Sequence, residues 1–216
     1  MIKAIIFDVD GVLIESADIK TKAFELLFAE YPHKLPEMID YHIRNSGFSR
    51  YVKFRHFYEN ILGLELSPNR EKELGDKFSQ LVLEEVIKAP LVTGVADFLN
   101  NNRQRYFLFA VSGTPEEELR IILRRRGLDG YFKGIYGTPQ TKPASIEQIL
   151  AENELSKQEA VYVGDAESDR ITAAETGVTF IARVKEGDDT LLNGCPWKIS
   201  DFTNLVAVIN TISRTR

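Results

Sequence analysis

Apolar positions along this chain follow two different rhythms. In the first, short unbroken runs occupy residues 3–7, 106–111, 160–163 and 178–182, each bounded by polar residues or glycine. Runs of that length predict strands buried on both faces, as in a parallel sheet. A weaker candidate surrounds Ile135 and Tyr136. In the second rhythm, apolar residues recur three and four apart. Residues 115–126 carry Leu119, Ile122 and Leu123 on one face, with Thr114 placed to cap the start and Gly127 to end it. Pro115 suits the first helical position, and Glu116, Glu117 and Glu118 suit the first turn, where the helix dipole favours anions. Residues 143–153, 167–176 and 201–212 predict three more helices. Strands alternating with helices imply right-handed crossovers and an α/β fold, a three-layer Rossmann-like core around a parallel sheet.

The stretch from 15 to 88 breaks the alternation. It predicts helices at 18–31, 36–45, 48–62 and 68–87 and contains no buried-strand run. The expected organisation is therefore a core domain of residues 1–15 plus 90–216, with residues 16–89 inserted as a small helical domain. The joints fall near 15–18 and 88–94, the second containing Pro90 and Gly94. Ligands of open parallel sheets bind beyond the carboxyl ends of the strands. A helical module leaving the chain just after the first strand would hang over that edge as a lid.

Charge and composition narrow the function. The net charge is −5, from 27 basic and 32 acidic residues, and no basic stripe points to nucleic acid. Arg124, Arg125 and Arg126 form a local run that suits the last turn of a helix. Cys195 is the one cysteine, so no internal disulfide is possible and a cytoplasmic setting is expected. No apolar segment approaches the ~20 residues that span a bilayer. The first apolar run stops at Asp8, too early for a signal-peptide core. The expected protein is a monomer or dimer with no membrane or nucleic-acid partner.

Four motifs stand at predicted strand ends or helix starts: Asp8-Val9-Asp10-Gly11, Val111-Ser112-Gly113-Thr114, Thr141-Lys142-Pro143, and Gly164-Asp165 through Asp169. Asp8 and Asp10, two apart on an extended chain, point to the same side. Neighbouring carboxylates drive their proton affinities apart. One can then attack as an anion while the other donates a proton to a leaving oxygen. Ser112, Gly113 and Thr114 combine hydroxyls with a small residue at a helix start, which suits phosphate oxygens. Lys142 opposes the dipole of the helix it opens, so an anionic partner would justify it. Asp165 and Asp169, with Asp8, offer hard oxygen ligands of the kind Mg²⁺ takes. Taken singly, each motif also reads as a turn, a helix cap or an exposed lysine. Phosphoryl transfer accounts for all four together.

The ordered set resembles the haloacid dehalogenase (HAD) superfamily over residues 1–15 and about 90–185, and the insert resembles that superfamily's C1 cap. The subgroup looks like the phosphoglycolate phosphatase and β-phosphoglucomutase relatives. The resemblance implies Asp8 as nucleophile forming an aspartyl-phosphate, with Asp10 protonating the leaving alcohol and later activating water. It implies Ser112, Lys142 and the Gly113 N–H as phosphate-binding groups. Mg²⁺ would be held by Asp8, the Asp10 carbonyl and Asp165, with Asp169 orienting the shell. A carboxylate at position 10 separates phosphate-ester enzymes from the dehalogenases and phosphonatases of the superfamily. The expected activity is thus a Mg²⁺-dependent phosphatase acting on a small phosphorylated metabolite. A phosphomutase is the alternative, although Lys20 stands where those mutases usually carry histidine. A catalytically silent phosphate-binding protein is a third reading and 2-haloacid dehalogenation a remote fourth.

The segment Ser46-Gly47-Phe48-Ser49-Arg50 resembles the specificity loop of C1 caps. Arg50 is the candidate for gripping the far end of the substrate; as a helix-start arginine it would have no such role. Arg44, Lys53 and Arg55 could serve instead. Tyr51, Phe54, Phe57 and Tyr58 are pocket candidates whose helical spacing also suits packing within the module.

Overall fold

The computed structural model of the chain describes residues 1–185, 187 and 191–215. β1 (Ala4–Phe7) is buried at every position, which explains why its sequence shows no polar alternation. It lies in the middle of the sheet. β2 (Phe107–Pro115) and β4 (Ala160–Gly164) flank it, β3 (Gly134–Thr138) lies beyond β2, and β5 (Thr179–Arg183) and β6 (Lys198–Ile199) lie beyond β4. All five pairings among these described strands are parallel. Asp8 and Asp165 therefore stand just past the carboxyl ends of adjacent strands. The chain order reverses at β1, between the β2 and β4 sides, which is the point where doubly wound sheets leave a crevice.

The two faces of the sheet are covered separately. Ala4, Ile6, Phe109, Val111 and Tyr162 pack against α7 (Lys142–Glu152) and α8 (Glu167–Thr176). Ile5, Phe7, Leu108, Val161 and Val163 face the other way, toward α5 (Val95–Asn102), α6 (Glu116–Arg125) and α9 (Leu205–Arg214). This is the expected three-layer α/β core. α5 and β6 were not expected. Thr114 also departs from expectation, lying inside β2 while Pro115 takes the cap position of α6, because the strand continues past Ser112. Among the described residues no helix is long and apolar enough to cross a membrane.

Between β1 and α5 the chain forms α1 (Ala17–Leu27), α2 (Leu35–Arg44), α3 (Arg50–His56), which widens into a π-helical turn over Phe57–Leu62, and α4 (Pro68–Lys88). Phe24, Phe28, Phe54, Phe57 and Phe78 are each buried and meet ring to ring, with centroids 4.7 to 6.2 Å apart. The helical spacing of Phe54 and Phe57 is thus spent on packing. The two strands of chain that join the helices to the sheet pair with each other. Glu15 N–H donates to the Pro90 carbonyl at 3.0 Å and Val92 N–H to the Leu13 carbonyl at 3.1 Å. The arginine run serves two helices at once. Arg125 pairs with Glu84, while Arg126 Nη1 donates to the carbonyls of Val86, Ile87 and Ala89 and so closes the end of α4.

A second tie lies in the interior. Arg50 Nη2 donates to Glu118 Oε1 at 2.6 Å and Nη1 to Oε2 at 3.0 Å and to Ser79 Oγ at 2.7 Å, joining α3, α4 and α6. Both members of the ion pair are buried. Removing one partner leaves the other charge without compensation. Glu118→Ala is therefore expected to lower the unfolding free energy by about 3–5 kcal/mol. Adding Arg50→Met to it should recover part of the loss, and denaturant titration of the two variants measures both.

Candidate active site

Asp8 is placed by the sheet itself. Its N–H donates to the Val163 carbonyl at 2.9 Å as the last rung between β1 and β4, and its Oδ1 accepts from the Val9 N–H at 2.7 Å. The chain then turns sharply at Gly11, whose φ of +76° is the left-handed conformation that favours glycine. A methyl group at that position would collide with the Asp165 carboxylate. Arg183, at the end of β5, donates to the Gly11 carbonyl at 3.1 Å and pairs with Glu15, so the turn is held from below.

Lys142 opens α7 and crosses to the sheet. Its Nζ lies 2.9 Å from Asp8 Oδ2 and 2.7 Å from Asp169 Oδ1. Asp169 accepts further from Tyr162 Oη at 2.6 Å and from the Ala166 N–H at 3.1 Å. Those bonds occupy both its oxygens, so Asp169 works here as the anchor of Lys142. Burial opposes the lysine's charge, but Asp169 and Asp8 outweigh it and hold the ammonium above its ordinary range.

Asp8, Asp165 and Asp169 bring one carboxylate oxygen each within 4.8 Å of the others. Asp165 has neither a hydrogen bond nor an ion pair among the described residues, and its carboxylate faces the cavity. Burial, then the charges of Asp8 and Asp169, raise its proton affinity far above the carboxylate range. Burial, only partly offset by Lys142, pushes Asp8 up to about 7. An unpaired carboxylate beside two others, served by one lysine, fits a hard dication such as Mg²⁺.

Asp10 shows the opposite balance. Lys20 pairs with its Oδ2, which also accepts from Thr114 Oγ1 at 3.2 Å and Ser112 Oγ at 3.3 Å, while Oδ1 accepts from Ser16 Oγ at 2.7 Å. Burial would raise Asp10, but Lys20 and these hydroxyls hold it down at about 2. The two acids are driven apart, as their spacing predicts, but in the reverse order: Asp10 is the anion and Asp8 the stronger base. The cause is Lys20, whose approach from α1 the sequence did not reveal. A dication held by Asp8 and Asp165 would favour the ionised form of Asp8.

The remaining sequence candidates fall as follows. Ser112, Gly113 and Thr114 line the same cavity of about 360 Å³ as Asp8, Asp10, Lys142 and Asp165. Gly113 faces the 46–50 segment so closely that a methyl group on it would lie 2.8 Å from the Gly47 carbonyl oxygen. The helices thus reach directly over the strand ends. Arg50 lines the cavity, yet its terminal nitrogens are taken by Glu118 and Ser79. Arg44 and Arg55 are exposed and pair with Asp40 and Glu71. Lys53 is buried in the cavity wall. Cys195 stands apart from the cavity, with burial pushing its thiol up.

The family model for haloacid dehalogenase-like hydrolases matches residues 5–183. No curated protein matches the sequence. Among solved structures the chain is similar to a hydrolase from Pseudomonas syringae, with a TM-score of 0.80, 18% identity and coverage of 97% of this chain and 99% of that one. A predicted phosphoglycolate phosphatase from Haemophilus somnus 129PT gives 0.73 at 19% identity, over 96% and 98% of the two chains. A 2-haloacid dehalogenase from Pseudomonas syringae pv. tomato DC3000 gives 0.64 at 19%, over 98% and 99%. At such identities the likeness carries the fold, and the reaction has to be argued from the site.

Proposed function

Because the chain belongs to the haloacid dehalogenase-like hydrolases, we propose that it is a Mg²⁺-dependent phosphatase that cleaves small phosphate monoesters through an aspartyl-phosphate on Asp8. The observation that carries this reading is the pairing of two unlike acids in one cavity. Asp8 lies beside Lys142 and an Asp165 that has no partner among the described residues, and Asp10 lies among hydroxyls and an ammonium. Halide leaves without a proton, so a half-buried carboxylate at position 10 has no task in dehalogenation. An alkoxide needs one.

Asp8 attacks phosphorus through a carboxylate oxygen, and the Lys142 ammonium, 2.9 Å from Asp8 Oδ2, is the cation nearest the point of attack and would offset the charge of the phosphoryl oxygens. Ser112 Oγ and the N–H groups of the β2 end supply neutral donors. Asp10 delivers the proton to the leaving oxygen and afterwards takes one from the water that opens the acyl phosphate. It is the anion here, the form the second half-reaction needs; the first half requires it to have gained a proton, which it takes from the attacking water of the preceding cycle. Asp8, Asp165 and the Asp10 carbonyl would hold Mg²⁺, with Asp169 behind, and the ion would supply charge neutralisation for the transferring group. The helices α1 to α3 act as the cap, closing the cavity so that bulk water does not compete in the first step.

Two measurements test this. Phosphate release from a broad panel of small phosphate esters is expected to require Mg²⁺; a panel with no turnover, or with turnover unaffected by chelator, sinks the reading. The second is thermal. Asp8 and Asp165 bind protons more tightly folded than unfolded. The contribution of Asp8 to stability is present below the ordinary value of 3.8 and lost as pH rises through about 7, and that of Asp165 changes with pH in the same direction. Mg²⁺ should offset that loss, by about 2.7 kcal/mol at a hundredfold excess over Kd. The rise in Tm on adding Mg²⁺ is therefore expected to be larger at about pH 8 than at about pH 6, and to vanish in Asp165→Asn.

A further inference from the structure

Four cationic side chains are buried among the described residues, and three of them face a carboxylate: Arg50 faces Glu118, Lys142 faces Asp8 and Asp169, and Arg183 faces Glu15. Lys53 is the fourth. It is 3% exposed and has no carboxylate against it among the described residues. Its Nζ lies 2.8 Å from His42 Nδ1, and the Phe24 ring is 5.5 Å away. Burying an ammonium without a counter-charge is costly. Here burial, then the charges of Lys20 and Lys142, push Lys53 down to about 7.

His42 does not relieve that charge. Burial, with Lys53 and Lys20 close by, pushes the imidazole down to about 3, so it is neutral. An ammonium can only donate, so Nδ1 accepts from Lys53. Nε2 then carries the proton and donates to Thr21 Oγ1 at 3.0 Å, whose hydroxyl reaches the Ala17 carbonyl at 3.3 Å. The chain of bonds orients Lys53, whose Nζ also donates to the His42 carbonyl at 3.5 Å, and leaves it one N–H to spare. Lys53, His42 and Thr21 all line the cavity that holds Asp8, on the wall made by α1, α2 and α3. Arg50, which the sequence singles out for an anion, is already neutralised by Glu118.

We propose that Lys53 is a specificity-determining residue, and that the molecule bound in this cavity carries, besides its phosphoryl group, a second anion seated on the Lys53 ammonium. Resting on the phosphatase reading, the substrate class is a phosphate monoester whose alcohol portion bears a carboxylate or a second phosphate. A neutral sugar or alkyl phosphate would leave the ammonium buried and unpaired, and the site would discriminate against it for that reason.

The test measures binding and needs no turnover. Calorimetry on the full chain with Mg²⁺ compares propylphosphonate, 3-phosphonopropionate and propane-1,3-bisphosphonate, which share a phosphonate and differ in the far end. At least one dianionic-end ligand is expected to bind roughly 10- to 100-fold more tightly than propylphosphonate, the range of a hydrogen bond to a charged group. Which of the two gains decides between carboxylate and phosphate. In Lys53→Met the gain should fall to about threefold or less, with propylphosphonate affinity unchanged. Equal affinity for all three ligands in the unmodified protein, undetectable binding of all three, or a Lys53→Met loss shared by propylphosphonate would each overturn the proposal. The ratio in the unmodified protein decides even if the variant fails to fold. A binding preference without phosphate release from any ester would leave the anion site standing and remove the phosphatase reading.

Discussion

Asp8→Asn is expected to lower turnover by roughly four orders of magnitude or more, with the fold intact, because it removes the proposed nucleophile. The amide keeps the shape of the carboxylate and can still accept from the Val9 N–H, and Lys142 retains Asp169 as a partner. The stability change has a definite sign. Asp8 holds its proton more tightly folded than unfolded, so its charge opposes folding at pH above about 7 in the absence of metal. The substitution should therefore raise the metal-free Tm at alkaline pH while removing activity. A structurally necessary Asp8 would give the opposite pairing, with loss of stability leading loss of rate. Intact mass spectrometry under turnover adds a direct readout, a phosphorylated protein in the parent and none in the variant. Residual activity within about a hundredfold of the parent would mean that another group attacks phosphorus.

What the sequence conveys and what it hides follow from the range of each interaction. The runs at 3–7, 106–111 and 160–163 are legible because strands buried on both faces tolerate no polar residue. Where such a run ends in Asp8, Ser112 or Asp165, the sheet topology alone carries those groups to one edge. α5 was equally visible, with Val95, Phe98 and Leu99 at helical spacing. Gly94 and three consecutive asparagines, 100–102, weigh against a helix there and mask the signal. β6 is two residues long and has no period to detect. Thr114 was read as a cap because its side chain can cap, yet its hydroxyl is engaged with Lys20 and Asp10.

The side chains whose surroundings escaped the sequence are long and cationic, and their partners lie on other elements, some of them far along the chain. Arg50 meets Glu118, 68 positions away, and Lys20 meets Thr114, 94 positions away. No local pattern reports such pairings. Composition cannot help either, since a net charge of −5 says nothing about which cations face the cavity uncompensated. A lysine or arginine in the inserted helices can read a substrate only if no carboxylate of the protein reaches it first. That condition separates Lys53 from Arg50, and it depends on three-dimensional placement.

Asp10→Asn should divide substrates by their leaving group. For alkyl phosphates, kcat/KM is expected to fall about 10²- to 10⁴-fold, the usual worth of general acid catalysis. For p-nitrophenyl phosphate, whose phenolate departs without a proton, the fall in kcat/KM should stay within about tenfold, because that constant reports the first step alone. The stability effect should run opposite to that of Asp8→Asn. Burial notwithstanding, Lys20, Ser16 and Thr114 hold Asp10 down at about 2, so its ionised form stabilises the fold above 3.8 and the contribution is lost as pH falls toward 2. The variant should therefore melt lower at neutral pH. An equal loss on both classes of ester would mean that Asp10 only orders its neighbours, and the case for phosphate-ester chemistry over halide displacement would lose its main support. A leaving-group-dependent loss has no counterpart in dehalogenation, because a departing halide never needs the proton that Asp10 is placed to give.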